Sequence, residues 1–441
     1  MNVAPIHRGH GNRIKIAVIG SGISGASAAR ALHPTADVTL FEAASRPGGH
    51  TATVDIDYDG RPVSVDTGFI VYNTLNYPEL TALFKHLDVE TQETEMSFSL
   101  SLDGGKLEWS GASLGSIFAQ KRNFFSPSFL WMLREILRFN RECVIDRESG
   151  LLLQHTIGEY IEKKRFSSAF RDNYLIPMAA AIWSTPRIKM LDFPAETFIS
   201  FFENHRLINR ERPRWKTVRN GSASYLAKLL APLGDRLRLS SPVRSVVRDA
   251  FGVTLWHGDG HAERFDQVIF ACHSDQALAI LDDASVTESE ILSAVKYRPN
   301  RVILHRDTRL MPKSRQAWAA WNYLRSSKGD GESEVCVTYL MNQLQHIDRS
   351  MPLFVSLNPA VEPAANLTFG EWVYDHPQFD AAALAAQQRL RGIQGQRNTF
   401  YAGAWTGYGF HEDGLRSGLD AATALGAEVP WRSSVQAMAA E

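Results

Sequence analysis

The start of the chain alternates short apolar runs with a glycine-rich turn and an alanine-rich stretch. Residues Ile14–Ile19 are apolar apart from Lys15 and rich in β-branched side chains, which is the pattern of a strand buried on both faces of a parallel sheet. The alanine-rich stretch continues to Leu32, and a second apolar run, Val38–Phe41, ends at Glu42. This succession predicts a strand, a helix and a second parallel strand at the start of a doubly wound α/β sheet.

The turn after the first run is Gly20-Ser21-Gly22-Ile23-Ser24-Gly25, a complete GxGxxG pattern. Gly20 permits the tight turn, Gly22 allows the backbone to approach a pyrophosphate, and Gly25 lets the helix pack on the strand. We predict that these glycines, together with Ser24, bind a dinucleotide, and that Glu42 accepts hydrogen bonds from its ribose. A purely structural turn is the alternative, and the complete order of strand, glycines, helix, strand and acid disfavours it.

Composition narrows the class of protein. The 441 residues are 44% hydrophobic, enough for two or three packed modules, and the formal net charge of −1 argues against a nucleic-acid partner. No apolar run reaches the roughly 18 residues of a membrane span, and the N-terminus does not resemble a secretory signal. Cys143, Cys272 and Cys336 are far apart, so neither a disulfide framework nor a metal site is indicated. We therefore expect a cytoplasmic protein without a metal.

Further motifs extend the pattern to both ends of the chain. They are Arg46-Pro47-Gly48-Gly49-His50-Thr51, Asp66-Thr67-Gly68, Val218-Arg219-Asn220-Gly221-Ser222, Ala402-Gly403 and Glu412-Asp413-Gly414. Together with the GxGxxG turn they resemble the superfamily of FAD-dependent amine oxidases and phytoene desaturases. His50 departs from the family pattern, which usually has arginine there.

The resemblance implies a glutathione-reductase-like, FAD-binding Rossmann domain and a discontinuous α+β substrate domain. Residues 1–80, 215–275 and 395–430 would form the first domain, residues 81–214 and 276–394 the second, and residues 431–441 a C-terminal tail. The cofactor would be FAD, held without a covalent bond because no cysteine falls in the closing motif.

The resemblance also assigns individual cofactor contacts. Arg46, Gly48, Gly49 and His50 would lie along the pyrophosphate and ribityl chain, and the backbone of Val243 would meet the adenine. Near the end of the chain the flavin contacts would be Gly403, Glu412 and Asp413. The helix that begins at this motif would direct its positive N-terminus at the flavin.

Two residues are candidates for the chemistry. The family's amine oxidases carry a lysine near the flavin N5, and Arg301 falls at that position in this chain. Arginine stays protonated, so it could not act as a base, which counts against amine oxidation. His411 stands near the family's aromatic-cage tyrosine, and it could move a proton while the flavin accepts a hydride. The alternative is that His411 only supports the flavin loop.

The substrate is expected to be apolar. Aromatic residues are abundant in the inserted segments, where they could line a tunnel or form ordinary core. Parts of these segments resemble a bacterial subgroup whose genes often neighbour those for cyclopropane-fatty-acid synthases. That association implies that the substrate is a fatty-acyl chain of a membrane lipid and that the enzyme is a desaturase or a double-bond isomerase.

Two alternatives stay open, a flavin amine oxidase and a non-redox lipid-binding protein of the GDP-dissociation-inhibitor type. The electron acceptor could be dioxygen, a quinone or a partner protein.

One helix carries a second expectation. Ser126-Pro127 is typical of a helix start, and Phe129, Leu133, Ile136 and Leu137 are predicted on one apolar face. Much of the other face carries the arginines Arg134, Arg138 and Arg141. Such a helix could contact the inner face of a membrane peripherally, or it could be a solvated helix packed on the substrate domain.

Overall fold

The computed structural model describes residues 13–209, 213–258, 260–325 and 336–432. The strands are β1 (Lys15–Ile19), β2 (Asp37–Phe41), β3 (Thr53–Tyr58), β4 (Arg61–Asp66), β5 (Val71–Asn73), β6 (Thr91–Thr94), β7 (Phe98–Leu102), β8 (Leu107–Ser110), β9 (Trp215–Val218), β10 (Leu237–Arg238), β11 (Val243–Asp249), β12 (Gly252–His257), β13 (His261–Phe265), β14 (Gln267–Phe270), β15 (Lys296–His305), β16 (Trp321–Arg325), β17 (Cys336–Leu340), β18 (Phe354–Leu357), β19 (Thr368–Gln378) and β20 (Thr399–Tyr401).

The helices connect these strands and form a separate cluster in the first half of the chain. They are α1 (Ile23–Leu32), α2 (Pro78–His86), α3 (Leu114–Ile117), α4 (Pro127–Glu148), α5 (Ile157–Lys163), α6 (Ser168–Phe170), α7 (Ile176–Trp183), α8 (Arg187–Leu191), α9 (Ala195–Asn204), α10 (Ala223–Leu230), α11 (Ser274–Ile280), α12 (Val286–Ala294), α13 (Met341–Leu344), α14 (Ala381–Arg389) and α15 (His411–Ala424). None of these helices has the length and apolar character needed to cross a bilayer.

A five-stranded parallel sheet is packed between two layers of helices. Its strand order is β10-β2-β1-β14-β20, and β1 pairs with β2 on one side and with β14 on the other. Ile16 and Val18 pack toward the layer of α1, α10 and α15, while Ala17 and Ile19 pack toward α11, α12 and α14. A strand buried on both faces has to be apolar throughout, and this confirms the predicted Rossmann-like α/β fold.

A second, seven-stranded sheet has the order β19-β15-β18-β17-β16-β7-β8. Its pairings are antiparallel except for that of β7 with β16, which is parallel. Its strands lie within the segments predicted to form the substrate domain, and helices α4 to α9 pack together beside it in one aromatic-rich core. The domain boundaries themselves stay a prediction, and only residues 431 and 432 of the predicted tail are described.

Helix α4 begins where the sequence predicts, and Phe129, Leu133 and Ile136 of the predicted face pack on the core, but Leu137 does not. Ser126 accepts a hydrogen bond from the Phe129 backbone N–H, as expected of a residue that caps a helix. The buried positions recur every three or four residues and are Phe129, Met132, Glu135, Phe139 and Cys143. Leu137 was predicted on the apolar face with Phe129, but its side chain is 72% exposed. The prediction for Leu137 is therefore corrected, because this residue lies on the opposite side of the helix from the core positions.

Asp66 connects three distant parts of the chain. Its buried carboxylate accepts hydrogen bonds from Thr53 Oγ1 at 2.6 Å, from Ser222 N at 2.9 Å and Ser222 Oγ at 2.7 Å, and from Gln345 Nε2 at 3.0 Å. Burial raises the pKa of Asp66 to about 6. The Asp66-Thr67-Gly68 motif and the Gly221-Ser222 turn, which the sequence indicated separately, therefore meet at one carboxylate.

We expect Asp66→Ala to destabilise the protein by about 3 kcal/mol, because the substitution leaves several buried donors without an acceptor. The measurement is urea unfolding at neutral pH, followed by far-ultraviolet circular dichroism. Asp235→Ala, at an exposed aspartate, is the matched control and should change the free energy of unfolding by less than about 0.5 kcal/mol. Equal stability of the two variants would contradict the role assigned to Asp66.

Candidate flavin site and substrate cavity

The carboxyl ends of β1, β2, β14 and β20 meet at one edge of the parallel sheet and open on a cavity of about 1000 Å³. The loops that follow these strands line it, with residues 20–22, 42–44, 271–273 and 403–405. Strand β1 leads to β2 on one side and is joined by β14 on the other, so the cavity lies where the strand order reverses. Ligands of open α/β sheets bind at such a position.

The glycine turn at the edge of the sheet is shaped for a phosphate group. Gly20 has a φ of +101°, and a Cβ at this residue would lie 2.6 Å from the Ala271 carbonyl oxygen, so only glycine fits. Gly22 immediately precedes α1, and a Cβ at this position would meet no protein atom within 4 Å. The N-terminus of α1 therefore presents its unpaired backbone N–H groups and positive dipole end to the cavity.

Glu42 connects the glycine turn to the next loop. Its carboxylate accepts hydrogen bonds from Ser21 N at 3.0 Å, Ser21 Oγ at 2.6 Å and Ala44 N at 2.9 Å. Gly48 N donates in turn to Ser21 Oγ at 3.1 Å. Glu42 lines the cavity together with Val243, in the arrangement expected for binding a ribose and an adenine.

The segment from Arg46 to His50 covers the turn from the other side. The Arg46 guanidinium donates to the Gly49 carbonyl oxygen at 3.0 Å and closes a tight loop. The His50 ring lies 5.0 Å from Tyr374 and 5.4 Å from His376, between ring centroids. Burial lowers the pKa of His50 well below its ordinary value, so the ring is neutral. Its Nε2 atom has no hydrogen-bond partner among the described residues.

The structure brings most of the predicted cofactor residues to the cavity. Those that line it are Gly20, Gly22, Ser24, Glu42, Arg46, Gly48, Gly49, His50, Val243 and Gly403. Gly25 does not line it, because a Cβ there would lie 1.9 Å from the Gly20 carbonyl oxygen and the residue serves the packing of α1 on the turn. This is the packing task that the sequence pattern assigned to it, and its assignment as a direct cofactor contact stays a prediction.

Glu412 and Asp413 likewise lie outside the cavity lining. Glu412 accepts hydrogen bonds from the backbone N–H groups of Glu79 and Leu80, at 2.8 and 3.0 Å, and so caps α2. Burial raises the pKa of Glu412 to about 7. Asp413 accepts from the backbone N–H groups of Tyr408 and Phe410, at 3.0 and 3.1 Å. Both acids hold the start of α15 in place, and their assignment as flavin contacts stays a prediction.

His411 lines the cavity at the first residue of α15. Its Nε2 and the Tyr225 hydroxyl are 2.5 Å apart, and Tyr225 is also hydrogen-bonded to Thr51 Oγ1 at 2.8 Å. The ring stacks on Phe69 at a centroid distance of 3.9 Å. Burial lowers the pKa of His411 to about 3, so the ring does not titrate near neutrality as the sequence-based expectation assumed.

Arg301 lies away from the cavity lining. Its guanidinium pairs with the carboxylates of Glu362 and Glu371 on the surface, with the closest contact to each at 2.5 Å. The next residue on the strand, Val302, lines the cavity instead. Arg301 is therefore corrected from a catalytic candidate to a surface ion-pair residue, since successive strand residues point to opposite faces.

The part of the cavity away from the glycine turn is walled by aromatic and aliphatic side chains. Strands of the seven-stranded sheet contribute Val302, Trp321, Tyr339, Val355 and Leu357, and the helices contribute Met178, Ile182, Trp183 and Phe201. None of the described residues that line the cavity is a lysine, and the carboxylates among them are Glu42 and Asp375. Asp375 adjoins His376, which packs on His50 beside the glycine loops.

Sequence reasoning missed several residues at the site. Phe69 and Tyr225 contact His411, and Thr51 is hydrogen-bonded to Tyr225. Tyr374 and His376 pack on His50. Phe69 directly follows the Asp66-Thr67-Gly68 motif, so its position was a usable signal. Tyr374 and His376 alternate on β19, a pattern that gives no indication of which ligand they face.

The geometry fits a dinucleotide with a redox-active end. The phosphate cradle at α1, the acid after β2 and the N-terminus of α15 face one cavity that continues into an apolar chamber. These are the features of a flavoprotein of the Rossmann class.

Sequence comparison identifies the family. The sequence model of the flavin containing amine oxidoreductases matches residues 23–426. The chain belongs to this family, which makes it an FAD-dependent oxidoreductase. No curated protein has a significantly similar sequence.

Solved structures share the fold at low sequence identity. A variant of putrescine oxidase superposes with a TM-score of 0.69 at 16% identity, covering 94% of this chain and 99% of the other. Cyclohexylamine oxidase from Brevibacterium oxydans gives 0.65 at 16% identity, covering 94% and 98%. A CLA-producing fatty acid isomerase from P. acnes gives 0.64 at 15% identity, covering 93% and 98%. At these identities the comparison defines the fold alone.

We expect Gly22→Ala to weaken FAD binding at least tenfold without destabilising the apoprotein. The added methyl group meets no protein atom and the φ of −59° suits alanine, so only the space of the bound phosphate is affected. Fluorescence titration of the apoprotein with FAD measures the affinity, and thermal unfolding measures the stability. Gly392→Ala, at another glycine whose Cβ would meet nothing within 4 Å, should leave both unchanged. Equal affinity in the two variants would refute the cradle.

Acid should destabilise the protein partly through His411. Its pKa falls from 6.5 in the unfolded chain to about 3 in the fold, so only the unfolded state takes up a proton as the pH drops below 6.5. From pH 6.5 to 5.5 the native protein should lose roughly 1 kcal/mol more stability than His411→Gln, which cannot be protonated. Urea unfolding at both pH values checks this, and parallel losses in the two proteins would contradict it.

Proposed function

We propose that this enzyme abstracts hydride from a C–H bond of a fatty-acyl chain of a membrane lipid, as a desaturase or a double-bond isomerase. The observation that carries the proposal is the apolar wall of the chamber beyond the glycine loops. Trp183, Phe201, Trp321 and Leu357 offer contact to hydrocarbon, and burial of hydrocarbon against such a wall supplies binding energy without a charged group.

The cofactor and the chain would divide the work. Bound FAD, held without a covalent bond by the glycine loops, supplies a two-electron acceptor for hydride. The chain orients the acyl group along the apolar wall and excludes water from it. Desaturation removes two electrons and two hydrogens from the acyl chain and therefore consumes an acceptor, for which we propose dioxygen, a quinone or a partner protein. Isomerisation returns the hydrogen and consumes none.

His411 would act as a positioning residue. Its ring is neutral, its Nε2 is engaged by Tyr225, and its face is stacked on Phe69. These contacts fix the cavity wall at the N-terminus of α15, where the dipole favours negative charge. We propose this role in place of the proton transfer that the sequence alone indicated.

Amine oxidation is the second candidate, and the folds of putrescine and cyclohexylamine oxidases favour it. A cationic amine would need a carboxylate or a closely fitted aromatic cage in the chamber. The carboxylates of the described lining, Glu42 and Asp375, lie by the glycine loops, so the remaining wall suits a neutral chain better. A non-redox lipid carrier is not retained, because the family is enzymatic.

The test is an anaerobic titration of the holoprotein, followed at the flavin absorbance at about 450 nm. Vesicles rich in unsaturated phospholipid should bleach the band or yield an isomerised chain by mass analysis after hydrolysis, and a panel of polyamines and aromatic amines should not. Bleaching by amines alone would overturn the substrate assignment. No bleaching and no altered chain would overturn the lipid proposal as well.

A cavity-filling variant links the chemistry to the chamber. Ile182→Trp places a larger side chain in the described lining and should reduce the reaction with lipid at least tenfold while FAD stays bound. Ile188→Trp, at a position on α8 that is 51% exposed, is the matched control and should react like the native enzyme. Equal loss in both variants would show that the chamber is not the substrate site.

A further inference from the structure

The outer surface of the substrate domain carries a concentration of exposed apolar side chains. Eight of the fifteen large hydrophobic residues that are exposed in the described chain fall within residues 114–153. They are Leu114, Phe124, Phe125, Leu130, Trp131, Leu137, Ile145 and Leu153. We call the part formed by Leu114, the turn of residues 121–125 and the outer face of α4 the apolar platform. Apolar groups gathered in this way on a surface mark an interaction site.

Helix geometry places much of the platform on one face. The exposed positions of α4 include Leu130, Trp131, Arg134, Leu137 and Arg141, followed by Ile145 one turn later. Spacings of three and four residues put these side chains in a single stripe along the 22-residue helix, opposite the buried stripe. The helix is therefore apolar on its inner face and both apolar and cationic on its outer face.

The turn of residues 121–125, at one end of the platform, is anchored to the neighbouring residues. Phe118 stacks on Phe124 with 3.7 Å between ring centroids, and the buried Asn123 donates to the Glu108 carbonyl oxygen at 3.2 Å. This anchoring leaves Phe125 with 87% of its surface exposed. Because the turn that carries Phe125 is anchored, its backbone loses little freedom when a partner covers the ring.

The charges of the platform select its partner. Lys121, Arg122, Arg134 and Arg141 are exposed, whereas Glu148, the exposed carboxylate of α4, lies at the far end of the helix. Arg134 lies over the Trp131 ring, 5.8 Å from its centroid. Cations interleaved with Trp, Phe and Leu on a helix that lies flat match the interface of an anionic phospholipid bilayer.

The platform is adjacent to the substrate chamber. Phe129, on the inner face of α4, contacts the Trp109 ring at 6.3 Å between centroids. Trp109 and Gly111 line the cavity, and Leu114 begins the helix that follows three residues later. The inner face of α4 therefore packs on a residue of the cavity wall.

From this arrangement we propose that the apolar platform docks the enzyme on an anionic membrane surface. The inference rests on the proposed function for its purpose, because docking would bring the lipid acyl chain to the chamber without a passage through water. The docking itself is independent of catalysis. The platform inserts Phe125, Trp131 and Leu137 among the acyl chains, and its cations contact the lipid phosphates.

The test is cosedimentation of the FAD-loaded protein with vesicles of phosphatidylcholine, alone or with about 30% phosphatidylglycerol. The native protein should bind the anionic vesicles at least tenfold more tightly than the neutral ones, and high salt should weaken the binding. The triple variant Phe125→Glu, Trp131→Glu and Leu137→Glu should lose at least tenfold of the binding. Its flavin content and thermal unfolding should stay native, because the three side chains are exposed.

The matched control is Phe251→Glu with Val286→Glu, at two equally exposed apolar residues outside the platform, and it should bind like the native protein. Equal vesicle binding by the triple variant, or none by the native protein, would overturn the proposal. Self-association that the triple substitution abolishes, without vesicle binding, would assign the platform to a second copy of the chain instead.

A detergent-dispersed unsaturated fatty acid separates this proposal from the proposed function. The triple variant should react with the dispersed acid like the native enzyme and lose activity only on vesicles. If neither protein reacts with the dispersed acid while native binding to vesicles persists, the acyl-chain chemistry fails and the docking surface stands.

Discussion

The buried carboxylate of Asp66 is the interaction on which the assembly of the site depends. It joins the hairpin of β3 and β4 to the Ser222 turn and to Gln345, which come from three separated parts of the chain. Residues 67–71, which follow it directly, line the cavity. A carboxylate surrounded by donors tolerates little displacement, because each donor left unpaired in the interior costs free energy. This contact therefore fixes the position of the glycine cradle relative to the apolar chamber.

The two ends of the cavity differ in polarity because they are formed by two different kinds of sheet. The parallel sheet brings loops and helix N-termini to its carboxyl edge, so that end is polar and suited to phosphate and ribose. The seven-stranded sheet turns alternate side chains into the chamber, and Val302, Val355 and Leu357 make that end apolar. A bound FAD and a substrate would meet where these two surfaces adjoin.

Buried polar groups near this junction have structural tasks as well as chemical ones. Glu412 caps α2, Asp413 holds the loop before α15, and His411 is fixed by Tyr225 and Phe69. Burial shifts the pKa values of these three side chains, and shifted pKa values often mark catalytic residues. Their hydrogen-bond partners show instead that they set the position of the α15 N-terminus. The outer face of α4, by contrast, carries exposed apolar and cationic side chains.

The sequence by itself determined the parallel sheet, the glycine cradle, Glu42 and the family, because these signals are local and contiguous. A strand, a tight turn and a helix N-terminus are encoded within about 30 residues and need no distant partner. The tertiary structure alone decided which apolar residues face the chamber and that Leu137 faces outward. It also decided that Arg301 pairs on the surface and that Glu412 caps another helix. An apolar residue can lie in the core, in the chamber wall or on the surface, so its type alone does not determine its location. The groups that donate to a carboxylate likewise depend on which residues folding brings next to it. Those contacts join residues far apart in the chain, so no local pattern records them.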